Sequence, residues 1–167
     1  ATVDLGSGRT AKYIALGFKH SCAILDDDTV KCWGENGSGQ LGYGDEDTRG
    51  DNPTTNEMGD NLEPVDLGSG RTAKQIALGG FHSCALLDNG TVKCWGENFY
   101  GQLGYEDRND RGDLGAHGAA SNEMGDSLNV VDLGTGRIAK QIALGASHSC
   151  ALLDNGAVKC WGYNSSG

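Results

Sequence analysis

The stretch Ile76-Ala-Leu-Gly-Gly-Phe-His-Ser-Cys-Ala-Leu-Leu-Asp-Asn-Gly-Thr-Val-Lys-Cys-Trp-Gly-Glu-Asn-Phe-Tyr-Gly-Gln-Leu-Gly104 decides the fold of this chain. Short apolar runs alternate in it with glycine and Asn-Gly turn signals, a pattern typical of short β-strands. His82 to Leu87 and Thr91 to Trp95 are predicted to form a hairpin around Asp88-Asn89-Gly90, preceded by a strand at Gln75 to Leu78. No sustained helical period is present, so the sequence predicts an all-β fold.

This stretch belongs to an internal repeat that covers the chain. Residues 65–79 differ from residues 3–17 only at Gln75, where the first copy has Tyr13, and residues 131–145 are nearly the same again. The copies diverge in a polar, acidic stretch, as expected of a shared scaffold with a variable surface loop. A weaker extended segment is predicted around Leu128 to Leu133. We expect three units: 1–64, 65–130 and 131–167, the third truncated.

The repeat resembles that of the regulator-of-chromosome-condensation (RCC1) family, because its Gly, His, Trp-Gly and Gly-Gln-Leu-Gly positions follow the order of that family. The resemblance implies a β-propeller architecture with one four-stranded blade per repeat and about seven blades in a closed ring. The units here are lengthened by an acidic insertion, and about three of them are too few to close a ring. We therefore expect an incomplete ring or an extended array of blades.

Six cysteines recur, two in each predicted hairpin. If Gly90 closes a three-residue loop in the left-handed conformation, Leu87 faces Thr91, and counting outward places Cys84 opposite Cys94. The pattern of hydrogen bonds makes this a non-hydrogen-bonded pair, where Cα atoms are close enough for a disulfide. The predicted disulfides are Cys22–Cys32, Cys84–Cys94 and Cys150–Cys160.

Two other interpretations of the cysteines compete with disulfides: buried free thiols, and a zinc site made by His82, Cys84 and Cys94, which lacks a fourth ligand in the repeat. Disulfides in every unit would place the protein in an oxidising compartment. That conflicts with the nuclear members of the resembled family and favours an extracellular, secreted branch. No charged-then-apolar leader follows Ala1, so a signal peptide is expected to be absent or already removed.

The acidic loops between the hairpins suggest weak candidates for calcium, which is bound by six to eight oxygens. No EF-hand spacing is present, and a plain solvated loop is the competing interpretation. An Arg-Gly-Asp tripeptide begins at Arg49 and again at Arg111, where chance in an Arg-, Gly- and Asp-rich loop opposes an adhesion motif. The calcium candidates are Asp45, Asp47, Asp51, Asp107, Asp110 and Asp113.

Three sequons match the N-glycosylation acceptor pattern and lie in predicted turns: Asn36, Asn89 and Asn164. They would matter only in a secreted protein of a eukaryotic host. His20, His82 and His148 occupy one place per repeat, so they do not converge and are interpreted as strand-start residues paired with backbone groups. The tryptophan after each second cysteine is interpreted as packing between blades. No catalytic motif is present, and we expect no enzyme activity and no cofactor.

The net charge of −10 argues against nucleic acid as a partner, because phosphate contacts need clustered Lys and Arg. No apolar run is long enough for a membrane-spanning helix.

The chain begins and stops in phase with its own repeat, so we expect either a piece of a longer array or copies that join end to end. The main hypothesis is an extracellular structural protein that self-associates into a filament. In isolation it would expose the apolar flanks around Ile14 and Val158. The alternatives are a secreted propeller that recognises another protein, inhibitor- or adhesion-like, and guanine-nucleotide exchange on a small GTPase. The predicted disulfides and the missing basic tail argue against exchange.

Overall fold

A computed structural model describes residues 2–52, 56–113 and 123–165. Each repeat forms one three-stranded antiparallel sheet, ordered as in the sequence, so the all-β prediction with RCC1-like blades is confirmed. The strands of the first sheet are β1 (Ala11–Leu16), β2 (His20–Leu25) and β3 (Val30–Gly34). Those of the second are β4 (Ala73–Leu78), β5 (His82–Leu87) and β6 (Val92–Gly96), and those of the third are β7 (Ala139–Leu144), β8 (His148–Leu153) and β9 (Val158–Gly162).

The fourth strand expected in each blade is reduced to isolated contacts in the described part of the chain. Arg49 pairs with Gly34 through a single antiparallel bridge, and Arg111 pairs with Gly96 in the same way. Gly50, which follows the first of these arginines, has a φ of 81°, so the backbone leaves the extended conformation at once and no ladder forms. The segment predicted around Leu128 to Leu133 is likewise not a strand.

The hairpin register is the one expected from the turn. Gly90 has a φ of 84°, the left-handed conformation, and the amide of Leu87 donates to the carbonyl of Thr91 over 2.9 Å. From there the pairing runs outward to Cys84 opposite Cys94. The first hairpin keeps this register although Asp28, with a φ of 67°, stands in place of the glycine.

The apolar core lies between the sheets. Each sheet has a leading face, which packs on the preceding repeat and contains Ile76 in the second repeat, and a trailing face, which packs on the following repeat and contains Val92. Ile76 is 0% exposed, whereas its equivalent Ile14 in the first repeat is 62% exposed. Val92 is 0% exposed, whereas Val158 in the third repeat is 65% exposed. The expected exposure of the two outer flanks is therefore confirmed.

Among the described residues, helical structure is confined to two short 3-10 turns, Gly59–Asn61 and Gly125–Ser127. Both hold an ammonium group from β3 or β6: Lys93 Nζ donates to the carbonyl of Gly125 over 2.7 Å and to that of Leu67 over 3.1 Å. Burial lowers the pKa of Lys93, and these carbonyls compensate for the lost water. Across residues 2–52, 56–113 and 123–165, no helix has the length and apolar content of a bilayer span.

Candidate functional site: the joint between repeats

A buried hydrogen-bond chain crosses each joint between repeats. In the second joint, the Oγ atom of Ser149 lies 2.9 Å from the carbonyl oxygen of Gln102 in the preceding repeat and donates its only proton to it. The serine must therefore accept from Nε2 of His82, at 2.9 Å, which fixes the neutral imidazole with its proton on that nitrogen. His82 and Ser149 are both 0% exposed.

The first joint repeats this chain. His20 Nε2 lies 3.0 Å from Ser83 Oγ, which donates to the carbonyl of Gln40 over 2.7 Å. Each of the two histidines begins its strand, as expected, but the expectation of backbone partners was wrong. The partner is a hydroxyl of the next repeat. It comes from the same His-Ser-Cys tripeptide one repeat later, a signal that is visible only when neighbouring repeats are read together.

The same glutamine carbonyls also accept from tryptophan. Trp95 is 0% exposed, and its Nε1 donates to the carbonyl of Gln40 over 3.0 Å. Trp161 makes the equivalent bond to Gln102 over 2.9 Å. The interpretation of these tryptophans as packing between blades is confirmed. The Gly-Gln-Leu-Gly segment of one repeat thus receives two donors from the next.

The neutral state of the joint histidines follows from their surroundings. Burial lowers the pKa of His20 and of His82 to about 4. Their Nδ1 atoms are buried without a hydrogen-bond partner. Each ring lies against a glycine: a Cβ on Gly79 would come within 2.2 Å of the His82 ring, so this position has no room for a side chain.

The two joints differ at one position. In the second joint, Gln75 Nε2 donates to the carbonyl of Ile142 over 2.8 Å, and the Ile142 amide donates to Gln75 Oε1 over 3.0 Å. The first repeat has Tyr13 at this position, which lacks the paired amide donor and acceptor needed for such a clamp. Gln141, the equivalent in the third repeat, is exposed.

The disulfides lie on the trailing faces. The three pairs are those that the register predicted, each with Cα atoms 4.1 Å apart, and no cysteine is free. Cys84 and Cys94 are 0% exposed because the third repeat covers them. Cys160, on the uncovered trailing face of the third repeat, is exposed. Beside it an open cavity of about 620 Å³ is lined by His148, Trp161 and Tyr163, among others.

The calcium candidates do not come together. The Asp45 carboxylate accepts from Arg49 Nη2 over 2.6 Å and from Asn36 Nδ2 over 3.0 Å, and Asp107 makes the equivalent contacts with Arg111 and Asn98. These aspartates hold the loops closed. Asp110 accepts from the Asn98 amide, and Asp113 is buried. Asp47 and Asp51 are exposed on the surface. In the described part of the chain, no three His, Cys, Asp or Glu side chains form a metal-binding group.

We expected the acidic loops to be solvated, and this expectation was wrong for the ends of the second loop. The carbonyl of Gly112 accepts from the Gly44 amide of the first repeat over 3.1 Å. Asp113 is 4% exposed and Met124 is 2% exposed. The Arg-Gly-Asp tripeptide at Arg111 therefore belongs to the joint and is not displayed for adhesion. Residues 53–55 and 114–122 of the two insertions lie outside the described residues.

The sequons have different environments. Asn36 is 0% exposed, its Nδ2 donates to the carbonyl of Asp45 over 2.8 Å, and its Oδ1 accepts from Leu41. In the folded protein this amide is therefore occupied by contacts within the loop, and the glycosylation state of Asn36 stays a prediction. Asn89 is exposed in its turn. Asn164 is also exposed, and Ser166 of its sequon lies outside the described residues.

Family models match the repeated parts of the chain. A model described as the regulator of chromosome condensation (RCC1) repeat matches residues 11–40, 73–102 and 139–167, and a second model of the same description matches residues 27–86. The ultraviolet-B receptor UVR8 of Arabidopsis thaliana is 34% identical over 160 residues, which are 95% of this chain and 31% of the receptor. The probable E3 ubiquitin-protein ligase HERC4 of Homo sapiens is 38% identical over 98 residues, 59% of this chain and 8% of the ligase.

Solved structures share the fold. Prp20p from Saccharomyces cerevisiae superposes with a TM-score of 0.67 at 23% identity, covering 98% of this chain and 33% of that chain. The ectodomain of the Physcomitrella patens receptor kinase CR4 gives 0.52 at 22% identity, covering 94% of this chain and 30% of that chain. The chain spans less than a third of the length of UVR8 and of HERC4.

Proposed function

Because the chain belongs to the regulator of chromosome condensation (RCC1) repeat family, we propose that it is a structural repeat module whose copies associate end to end through the joint that links its own repeats. The repeats build their core between sheets and not within them. A repeat of this kind is complete only when like repeats cover both of its faces.

The observation that carries the proposal is the exposure of the two outer faces. Ile14 and Leu16 on the leading face of the first repeat are 62% and 71% exposed, and Val158 on the trailing face of the third is 65% exposed. Their equivalents in the joints are buried, except Leu144, which is partly buried. Covering one such aliphatic side chain contributes roughly 1.5–3 kcal/mol. A second copy offers the complementary apolar face in the same sequence, so the aliphatic contacts of the internal joints are available between copies.

The association is directional. A leading face binds a trailing face, so the contact is heterologous and extends into a filament unless the rotation per copy closes a ring. Each added copy leaves one face of each kind at the ends. Gln141, exposed on the third repeat, is placed to clamp the backbone of Ile14 in the next copy as Gln75 clamps Ile142.

We assign the module to the extracellular space. The support is the disulfide in each of the three hairpins, since disulfides persist in oxidising compartments and are rare in the cytosol. The exposed Asn89 sequon is compatible with a secreted protein that is glycosylated on its surface.

Complementary variants test the association by sedimentation velocity. Ile14→Asp blocks the leading face and Val158→Asp blocks the trailing face. A mixture of the two variants therefore cannot extend beyond a dimer. The mixture should nevertheless form a dimer, because one copy keeps an intact trailing face and the other keeps an intact leading face. The double variant should be monomeric. Val130→Asp, which alters an apolar residue 48% exposed outside both faces, is the matched control and should behave as the unaltered chain.

A monodisperse monomer at every concentration of the unaltered chain would refute the association. The association would also be refuted if the mixture of the two single variants sedimented in the same way as each variant alone.

A second function, recognition of another protein, is supported by a surface at the joint between the second and third repeats. Exposed aromatic side chains gather at one end of the blades, where Phe99 is 61% exposed. Prp20p, which shares this fold, binds Gsp1p and histones. The chemistry of these exposed aromatic side chains determines which class of protein segment would bind to this surface.

A further inference from the structure

The two ends of the blades have different chemistry. The end that carries the hairpin turns is charged, with ion pairs such as Arg9–Asp27 at 2.6 Å and Lys12–Asp28 at 2.7 Å. At the other end, the turn between β4 and β5 meets the segment after β6, since the Glu97 amide donates to the carbonyl of Phe81 over 2.8 Å. This second end carries all three phenylalanines of the chain: Phe18, Phe81 and Phe99.

Aromatic side chains meet at this end between the second and third repeats. Phe99 and Tyr100 stand edge to face with ring centroids 4.9 Å apart, and Tyr100 lies 4.6 Å from the ring of Tyr163. The three side chains are 61%, 41% and 51% exposed. Three large exposed aromatic rings that meet through the central Tyr100 are unusual on a surface without a partner.

These aromatic residues are departures from the repeat. Phe99 and Tyr100 stand where the first repeat has Gly37 and Ser38, and Tyr163 stands where the first two repeats have glutamate. The first repeat folds the same turn without aromatic side chains, so the scaffold does not require them. The departures lie far apart in the sequence and meet in space.

An acidic group without a cation lies among them. In the first repeat, Lys19 pairs with Glu35 over 3.1 Å. In the second repeat Phe81 replaces that lysine, and in the part of the chain that the structure describes Glu97 makes no ion pair. Burial and the charge of Asp110 raise the pKa of Glu97, so its surroundings favour an added positive charge.

The Gln102 side chain ties the carboxylate to the backbone of the turn that carries Phe99 and Tyr100. Gln102 Nε2 donates to Glu97 Oε2 over 3.0 Å, and Gln102 Oε1 accepts from the Tyr100 amide over 2.8 Å. Gln102 itself is 0% exposed, so this connection is fixed by the fold. We call Phe81, Glu97, Phe99, Tyr100 and Tyr163 the aromatic patch.

We propose that the aromatic patch binds an arginine- or lysine-bearing segment of another protein. A guanidinium or ammonium group is attracted to the faces of exposed aromatic rings and forms a charge-assisted hydrogen bond with a carboxylate. The patch offers both, on a chain whose net charge of −10 attracts a basic segment over longer distances. Tyr163 also lines the cavity on the trailing face of the third repeat, so the variants that test binding alter only residues of the second repeat, which the association of copies does not use.

A fluorescein-labelled hexa-arginine peptide is the probe, and its anisotropy is titrated with the disulfide-bonded chain. Phe99→Gly/Tyr100→Ser restores the residues of the first repeat, which fold the same turn, and should weaken binding about fivefold or more. Glu97→Gln should also weaken it, by about threefold. Asp28→Asn removes the same charge from an exposed aspartate at the opposite end and should leave binding nearly unchanged.

Circular dichroism and thermal unfolding verify that each variant is folded, and Phe99→Trp/Tyr100→Phe, which keeps the rings, should retain binding. The proposal is overturned if the peptide does not bind the unaltered chain. It is equally overturned if Asp28→Asn and Glu97→Gln weaken binding alike while Phe99→Gly/Tyr100→Ser has no effect, because the peptide would then sense net charge alone.

Discussion

His82 Nε2 lies 2.9 Å from Ser149 Oγ, so an imidazole of the second repeat is held by a hydroxyl of the third. Neither atom has an alternative partner in water, because both side chains are 0% exposed. The joint between repeats is therefore a polar contact inside an apolar core. Breaking it lowers the free energy of unfolding, because buried donors and acceptors are left without partners.

Replacing Ser149 by alanine should destabilise the chain. The change leaves the Nε2 proton of His82 without an acceptor and removes one of the two donors to the Gln102 carbonyl, a loss of about 1–3 kcal/mol. Ser21→Ala is the matched control, because Ser21 has the same place in the first repeat, where no preceding repeat contacts it. Urea unfolding at a concentration where the chain is monomeric measures both. Equal losses would contradict the role of the joint.

Stability should fall on acidification between about pH 6.5 and pH 4. His20 and His82 have a folded-state pKa of about 4, below the ordinary value of 6.5, so in this window the unfolded chain binds protons that the folded chain does not. Above the window both states are neutral, and below pH 4 the loss levels off. His20→Gln/His82→Gln should flatten the slope measured by urea unfolding.

His148→Gln makes the same substitution in the third repeat, where the ring is exposed, and controls for the loss of an imidazole outside a joint. Glu97 and Glu123 have raised pKa values and act in the opposite direction, so they oppose the histidine effect in both chains equally. An unchanged slope in the double variant would show that the histidines are not the groups responsible.

Gln75→Tyr, which installs the residue of the first repeat, should weaken the second joint. It removes two hydrogen bonds to Ile142, worth about 1–2 kcal/mol together. Gln141→Tyr makes the same chemical change at an exposed position and should alter the free energy of unfolding of the monomer by less than about 0.5 kcal/mol. A loss of similar size in both variants would assign the effect to strand propensity and not to the clamp.

The three disulfides should react with a soluble reductant in an order set by their exposure. Cys150–Cys160 should be reduced first, because Cys160 is exposed, and the two pairs that are 0% exposed should follow only when the joints open. Alkylation of the released thiols followed by peptide mapping under non-reducing conditions gives both the order and the pairing. Bridges between different repeats would contradict the register.

Glycosylation in a eukaryotic secretory host should occur at Asn89 and not at Asn36. Asn89 lies exposed in its turn, whereas the Asn36 amide is consumed by bonds to Asp45 in the buried loop base. Mass spectrometry should show loss of one glycan in Asn89→Gln. Asn36→Gln should leave the glycan mass unchanged and lower the melting temperature. A glycan on Asn36 of folded material would contradict its burial.

Local geometry could be predicted from the sequence, and contacts across repeats could not. The Asp88-Asn89-Gly90 turn alone sets the pairing of Cys84 with Cys94, because register depends on neighbouring residues. The serine partner of each histidine lies in the next repeat, and no local pattern indicates it. The burial of Asp113 was missed for the same reason, since composition describes the loop and not what packs on it.

The acceptor at the centre of each joint is a main-chain carbonyl, that of Gln40 or Gln102, and not a side chain. A point substitution at either position leaves that oxygen in place, so the joint tolerates change there better than a side-chain acceptor would. Moreover, each of the three units has its own serine and tryptophan donors, and each of the first two has its own glutamine carbonyl. Unequal recombination that inserts or removes one whole unit therefore leaves every internal donor matched to an acceptor, and the number of blades is free to vary during evolution without redesign of any contact.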